Sequence, residues 1–142
     1  MSLELYHYRN SVCSQKVRLV LAEKGLGFTS HHLDLMTFEN LAEAYLAINP
    51  AGVVPTLIDQ GRVITESSII IEYLDDAYPD PPLKPDDAVS RASMRSLIRL
   101  EDDTALEAVG VHTMNMFIGP MMASLSEEQL EALTQDGASA KR

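Results

Sequence analysis

Apolar and polar residues alternate at the start of the chain, with Leu3 and Leu5 set against Glu4 and Tyr6, the period-two pattern of a half-buried strand. The polar run Arg9-Asn10-Ser11 ends it. Val17, Val20, Leu21 and Lys24 then recur at helical spacing, with Ser11 placed to cap the helix and Gly25 to stop it. Residues 28–34 read as a second strand, which the helical crossover makes parallel to the first. Over residues 38–48, Leu41, Ala44, Tyr45 and Ile48 share one helical face, and Asn49-Pro50-Ala51-Gly52 supplies the turn that ends it. Two short strands, 54–58 and 62–65, flank Asp59-Gln60-Gly61 as an antiparallel hairpin. Ser67 is then expected to cap an apolar helix carrying Ile69, Ile70, Ile71, Tyr73 and Leu74.

The order βαβ-α-ββα over residues 1–79 predicts an α/β domain: a four-stranded mixed sheet with helices on both faces. Pro79, Pro81, Pro82 and Pro85 make residues 80–87 a stiff connector that cannot continue a helix. Residues 88–142 read as a partial all-α domain. Its first helix should run from Ala88 to about Phe117 on a stripe of Met94, Leu97, Ile98, Ala105 and Ala108, and end at Gly119-Pro120. Ser126-Glu127-Glu128-Gln129 is a capping-box pattern opening another helix, with Leu130 and Leu133 inward, and the last seven residues have no apolar anchor against fraying.

At 142 residues the chain has room for one sizeable core and an appendage rather than two complete domains. The apolar share of 46% excludes a disordered chain. A net charge of −10, spread over both halves, repels phosphate backbones and argues against nucleic acid as a partner. Neither a signal peptide nor a membrane span is visible, so the cytoplasm is the expected compartment. The single cysteine, Cys13, excludes an internal disulfide, a CxxC pair and a cysteine zinc cluster, and His7, His31, His32 and His112 lack metal-ligand spacing, so no metal is expected.

Three segments in fixed order then carry a resemblance: Ser11-Val12-Cys13-Ser14-Gln15-Lys16-Val17-Arg18-Leu19, Asn49-Pro50-Ala51-Gly52-Val53-Val54-Pro55-Thr56-Leu57 and Glu66-Ser67-Ser68-Ile69-Ile70-Ile71-Glu72-Tyr73-Leu74. Together they resemble the glutathione transferase family, well over residues 3–85 and by pattern alone beyond. The resemblance implies a thioredoxin-like, glutathione-binding domain followed by a truncated helical domain. It implies a transferase joining the glutathione thiolate to small electrophiles, with glutathione as co-substrate, no other cofactor, a homodimer as the assembly, and detoxification as the setting.

The residues carry that chemistry as follows. A thiol with a pKa of about 8.5 is only a few per cent ionised at neutral pH, so the site must favour the thiolate. The resemblance places Ser11 as the hydroxyl that donates to the glutathione sulfur, although its position is equally that of a helix cap. Cys13, near the same helix N-terminus, is the other candidate nucleophile, and alternatively a small buried apolar residue. Val54-Pro55 resembles the family's cis-proline turn, whose backbone pairs with the cysteinyl part of glutathione. Glu66 would meet the γ-glutamyl ammonium and Ser67 its carboxylate; without the resemblance, both read as a helix start. Many family members have lysine or glutamine where this chain has Val53, which offers only its backbone; Arg9 and Lys16 are candidates to supply the missing charge.

The stretch Val109, Val111, Met114, Met116, Phe117, Met121 and Met122 reads as helical core, or as lining for an adaptable electrophile pocket. Two alternatives to a conjugating transferase stand beside it. The zeta-like isomerases carry Ser-Ser-Cys where this chain has Ser11-Val12-Cys13. Residues 17–25, 66–70 and 79–83 also resemble stringent starvation protein A, a non-catalytic relative that binds RNA polymerase.

Overall fold

The structure is a computed structural model and describes residues 2–127 and residue 130. Strand β1 (Leu3–His7) turns Leu3, Leu5 and His7 inward and leaves Glu4 and Tyr6 half-buried on the other face. Helix α1 (Val12–Glu23) begins at Ser11, whose hydroxyl accepts the Ser14 N–H at 3.2 Å, as expected of a cap. It buries Ser14, Val17 and Leu21. Gly25, at φ +64°, lets the Leu26 N–H fold back onto the Leu21 carbonyl at 2.9 Å and close the helix. Strand β2 (Thr29–His32) follows.

The helix expected over residues 38–48 does not form as one piece. Two single turns, Leu35–Thr37 and Glu39–Leu41, precede a short helix α2 (Glu43–Leu46). The reason is local competition for the backbone. The Asp34 carboxylate accepts the Met36 N–H at 2.9 Å, the Glu39 carboxylate accepts the Asp34 N–H at 2.7 Å, and Phe38 between them takes a left-handed conformation at φ +60°. Asn40 donates to the Gly52 carbonyl at 2.7 Å and so ties this segment to the next turn.

Strands β3 (Thr56–Asp59) and β4 (Arg62–Thr65) are joined by Gln60-Gly61, both with positive φ, which suits the twist of a tight hairpin. Helix α3 (Ser67–Ala77) starts one residue differently from expectation. Ser67 is its first helical residue and does not cap it; the cap position belongs to Glu66, at φ +66° and ψ 113°, without a side-chain capping bond.

The four strands lie in the order β2-β1-β3-β4, with β1 parallel to β2 and antiparallel to β3, and β3 antiparallel to β4. This is the thioredoxin-like mixed sheet. Leu3, Leu5, Val17, Leu21, Leu57, Ile70 and Leu74 form the core between the sheet and the α1–α3 pair. Each such side chain contributes roughly 1.5–3 kcal/mol by leaving water. On the opposite face Tyr45 of α2 is buried, its ring 5.5 Å from that of Tyr6.

The chain divides into two compact units between Leu83 and Lys84. In the first, the Lys24 ammonium, fully buried at the end of α1, meets the Asp75 carboxylate of α3 and donates to the Tyr78 and Pro81 carbonyls at 2.8 Å each. The Leu83 N–H also closes on Asp75, at 2.9 Å, so the proline-rich stretch is fastened down as far as residue 83.

The second unit is helical. Asp87 caps α4 (Ala88–Leu100) by accepting the Ser90 N–H at 2.8 Å. The helix continues through a π turn, Glu101–Ala105, into α5 (Leu106–Thr113), and through a second, Met114–Ile118, into α6 (Gly119–Met122). Gly119-Pro120 therefore does not end it. The wide turn before Pro120 puts the proline in the first turn of α6, where its missing N–H costs no helical bond. Of the expected stripe, Met94 and Ile98 are half-buried while Leu97, Ala105 and Ala108 are exposed. The helix expected from Ser126 and the tail after it fall largely outside the described residues.

Candidate active site

Sheet pairing brings three distant segments to one place. Tyr6 pairs with Thr56, and Thr56 with Thr65, so the end of β1, the start of β3 and the end of β4 share one edge of the sheet. From that edge the chain leaves β1 towards Ser11, enters β3 from Val54-Pro55, and leaves β4 into Glu66-Ser67. The Lys16 ammonium in the second turn of α1 donates to the Ser68 hydroxyl in the first turn of α3 at 2.9 Å, so the two helix N-termini also lie together. Each N-terminus presents backbone N–H groups and partial positive charge, which suits an anionic ligand.

Ser11 is half-buried at the start of α1, and its cap role leaves its chemistry open. The hydroxyl oxygen spends a lone pair on the Ser14 N–H, and its own hydrogen remains available to donate. Cys13, a free thiol in the first turn, is half-buried, which does not fit a fully buried packing residue.

Val54-Pro55 is a cis bond. Val54 precedes Thr56, the first residue of the β3 ladder, so its backbone lies outside the sheet pairing. Its neighbour Val53 is 40% exposed but has its carbonyl turned inward. The Tyr45 phenol donates to that carbonyl at 2.6 Å and the Asn49 amide at 2.9 Å. Because the phenol has one hydrogen, the Thr56 hydroxyl is left to donate to the Tyr45 oxygen, 2.8 Å away, and to accept from Asn49 at 3.0 Å. Burial pushes the Tyr45 pKa up and keeps the phenol protonated, against the smaller opposing effect of the Thr56 and Asn49 hydrogen bonds. Tyr45 and Asn49 thus hold the turn around Pro55. The sequence pattern places Tyr45 on an apolar face and Asn49 in a turn; their i,i+4 spacing was the available signal that they act together.

Glu66 is exposed, in a backbone conformation that non-glycine residues seldom adopt and that costs about 1–3 kcal/mol. Ser67 behind it is buried, 7% exposed. Among the described residues, no group of three or more His, Cys, Asp or Glu is placed to hold a metal ion, and no helix is long and apolar enough to cross a membrane. An open depression along α5, lined by Glu107, Gly110, Val111 and Asn115, shares no residue with this sheet edge. Of the methionine-rich stretch, Val109, Val111 and Met116 are exposed and Met121 and Met122 half-buried; the side chains of Met114 and Phe117 lie outside what is described.

Comparison with known proteins identifies the family. The chain is 44% identical over 93 residues to a probable maleylacetoacetate isomerase of Caenorhabditis elegans, an alignment covering 66% of this chain and 43% of that protein. It is 39% identical over 102 residues to a stringent starvation protein A homolog of Histophilus somni, covering 71% and 47%. Among solved structures it superposes on the β-etherase LigF of a Sphingobium strain with a TM-score of 0.91 at 33% identity, over 98% of this chain and 58% of the other. The chain thus spans about half the length of the relatives it matches. Residues 5–82 match the family described as glutathione S-transferase, N-terminal domain, and it is to this family that the chain belongs.

Proposed function

We propose that the protein binds glutathione at this sheet edge and joins its thiolate to small electrophiles. The observation that carries the reading is the convergence of Ser11, Val54-Pro55 and Glu66-Ser67 on one edge, with two helix N-termini beside them. The Val54 backbone would extend the sheet by pairing with the cysteinyl residue. Glu66 and Ser67 would take the two charges of the γ-glutamyl group, and the exposed Val53 would lie against the glycine end. Lys16, in hydrogen-bond contact with Ser68, stands at the same helix ends and would add positive charge there.

Ser11 would lower the thiol pKa. A shift of about two units corresponds to roughly 2.7 kcal/mol of preference for the thiolate, within reach of one charge-assisted hydrogen bond and a helix N-terminus. The N–H that Ser11 accepts draws electron density from its oxygen and makes its hydrogen a better donor. Cys13 is the competing nucleophile of the same turn. Cytoplasmic location, a homodimer and a role in detoxification belong to this reading, with glutathione as co-substrate and no separate cofactor.

A second reading, glutathione-dependent isomerisation, is favoured by the 44% identity to the isomerase, and begins with the same thiolate attacking an electrophilic carbon. A third, a non-catalytic protein-binding role, is favoured by the starvation-protein relative. Calorimetric titration with reduced glutathione separates the first two from the third. Saturable binding is expected, lost in Glu66→Ala. A folded chain that takes up no glutathione would overturn the proposal, and separate Ser11→Ala and Cys13→Ala variants would then be needless.

A further inference from the structure

The turn between β1 and α1 is held from outside itself. Tyr8 and Arg9 must carry the chain from the sheet edge to Ser11, and their backbone groups all find side-chain partners. The Tyr8 N–H donates to the Ser14 hydroxyl at 3.4 Å and the Arg9 N–H to His32 Nε2 at 3.3 Å. Arg18 meets both carbonyls, Nη1 donating to Tyr8 O at 3.2 Å and Nη2 to Arg9 O at 2.8 Å, with the Gln15 amide a second, longer donor to Arg9 O at 3.5 Å. The Ser11 N–H closes on the same Tyr8 carbonyl at 3.2 Å, so the guanidinium fixes the atom from which Ser11 itself hangs.

The other side of the guanidinium settles the state of a buried histidine. Arg18 Nη1 lies 3.1 Å from His7 Nδ1, and a guanidinium has donors only, so that nitrogen must present its lone pair. The proton is then on Nε2, which donates to Ser30 Oγ at 2.7 Å. His32 Nε2 presents a lone pair as well, accepting the Arg9 N–H. We propose that Arg18, seated on the lone pair of His7, is a positioning residue for the Ser11 hydroxyl. The inference rests on the role given to Ser11 above.

A proton on His7 Nδ1 would end this arrangement, because two cationic donors cannot share the contact. His7 faces Arg18 from α1, Ser30, His31 and His32 from β2, and the edge of Phe28 before β2; His31 itself pairs with Glu4 at 2.9 Å. Burial first, then Arg18, His32 and His31, hold the His7 pKa below its ordinary value of 6.5. The neutral form, and with it the set position of Ser11, is therefore kept at neutral pH and lost as pH falls through that lowered value.

Two measurements test this. In the unaltered chain, NMR titration should show the Ser11 amide moving with the midpoint of the His7 imidazole. A Ser11 amide that stays flat through the His7 transition would overturn the proposal, whether or not glutathione binds. In Arg18→Met and Arg18→Lys, affinity for S-methylglutathione, which has no thiol, should be unchanged. The ionisation midpoint of bound glutathione, read by ultraviolet thiolate absorbance, should rise by about one pH unit, a tenfold loss of thiolate. The lysine variant is expected to fail as well, because a point charge cannot span both carbonyls and the imidazole. An unchanged midpoint in both folded variants would overturn the inference alone. An unchanged midpoint in Ser11→Ala would instead overturn the role of Ser11, and this inference with it.

Discussion

Glu66 shows at the scale of one residue how the site and the fold make different demands. Its positive φ serves no capping bond, so the conformation is retained against a local cost of about 1–3 kcal/mol. Replacing it with glycine or with alanine removes the same carboxylate, but only glycine accepts that backbone without strain. Glu66→Gly is therefore expected to be about 1 kcal/mol more stable than Glu66→Ala in urea denaturation, with glutathione binding lost in both. Equal stabilities would show that the fold stores no strain there. The positions of Ser11, Cys13, Glu66 and Ser67 beside a turn or helix start were legible from residue type, whereas the roles proposed for them come from the family resemblance. The Tyr45-Asn49-Thr56 ring and the Arg18-His7 contact were not, since each joins residues whose meeting depends on tertiary packing.

Among the elements, β1 and the first and third helices follow the apolar period closely, whereas β2, Thr-Ser-His-His, carries no apolar residue. The segment 35–48 does not. Its apolar residues carry a helical period, yet Asp34, Glu39 and Asn40 offer the backbone nearer partners, and the helix is cut to Glu43–Leu46. A second contact between elements lies wholly out of reach of periodicity: Lys24 at the end of α1, buried against Asp75 of α3 and the carbonyls of Tyr78 and Pro81. Lys24→Met leaves Asp75 in a poorly solvated place with its cation gone, and should cost about 3–5 kcal/mol. Replacing Asp75 with leucine in the same chain should recover about 1–2 kcal/mol, because the desolvated carboxylate is then removed as well. Chemical denaturation of the single and double variants checks this; a single variant as stable as the parent would show that the pair carries no such weight.

The two units of the whole molecule differ in how much they bury. Leu5, Val17, Leu21, Leu57, Ile70 and Leu74 are completely enclosed in the first, whereas no residue from Lys84 onward whose exposure is described is buried. Opening free energies follow buried contact, so hydrogen exchange should find the amides of β1, β3, α1 and α3 protected to the limit of global unfolding. Amides of α4 and α5 should exchange orders of magnitude faster. Equal protection of the two units would show that the helical unit draws stability from contacts beyond its own residues.

The sequence by itself determined the order of elements, the mixed four-stranded sheet and the cap at Ser11, because strand alternation, turn chemistry and capping act over a few neighbouring residues. Tertiary structure decided what those segments become together. Strand pairing, which joins Tyr6 to Thr56 and Thr56 to Thr65, is non-local, and it alone sets Ser11, Val54-Pro55 and Glu66-Ser67 on one edge. Packing likewise decided that Tyr45 holds the Val53 carbonyl and that Arg18 reads the lone pair of His7, since a buried polar group takes whichever partner the fold brings within reach.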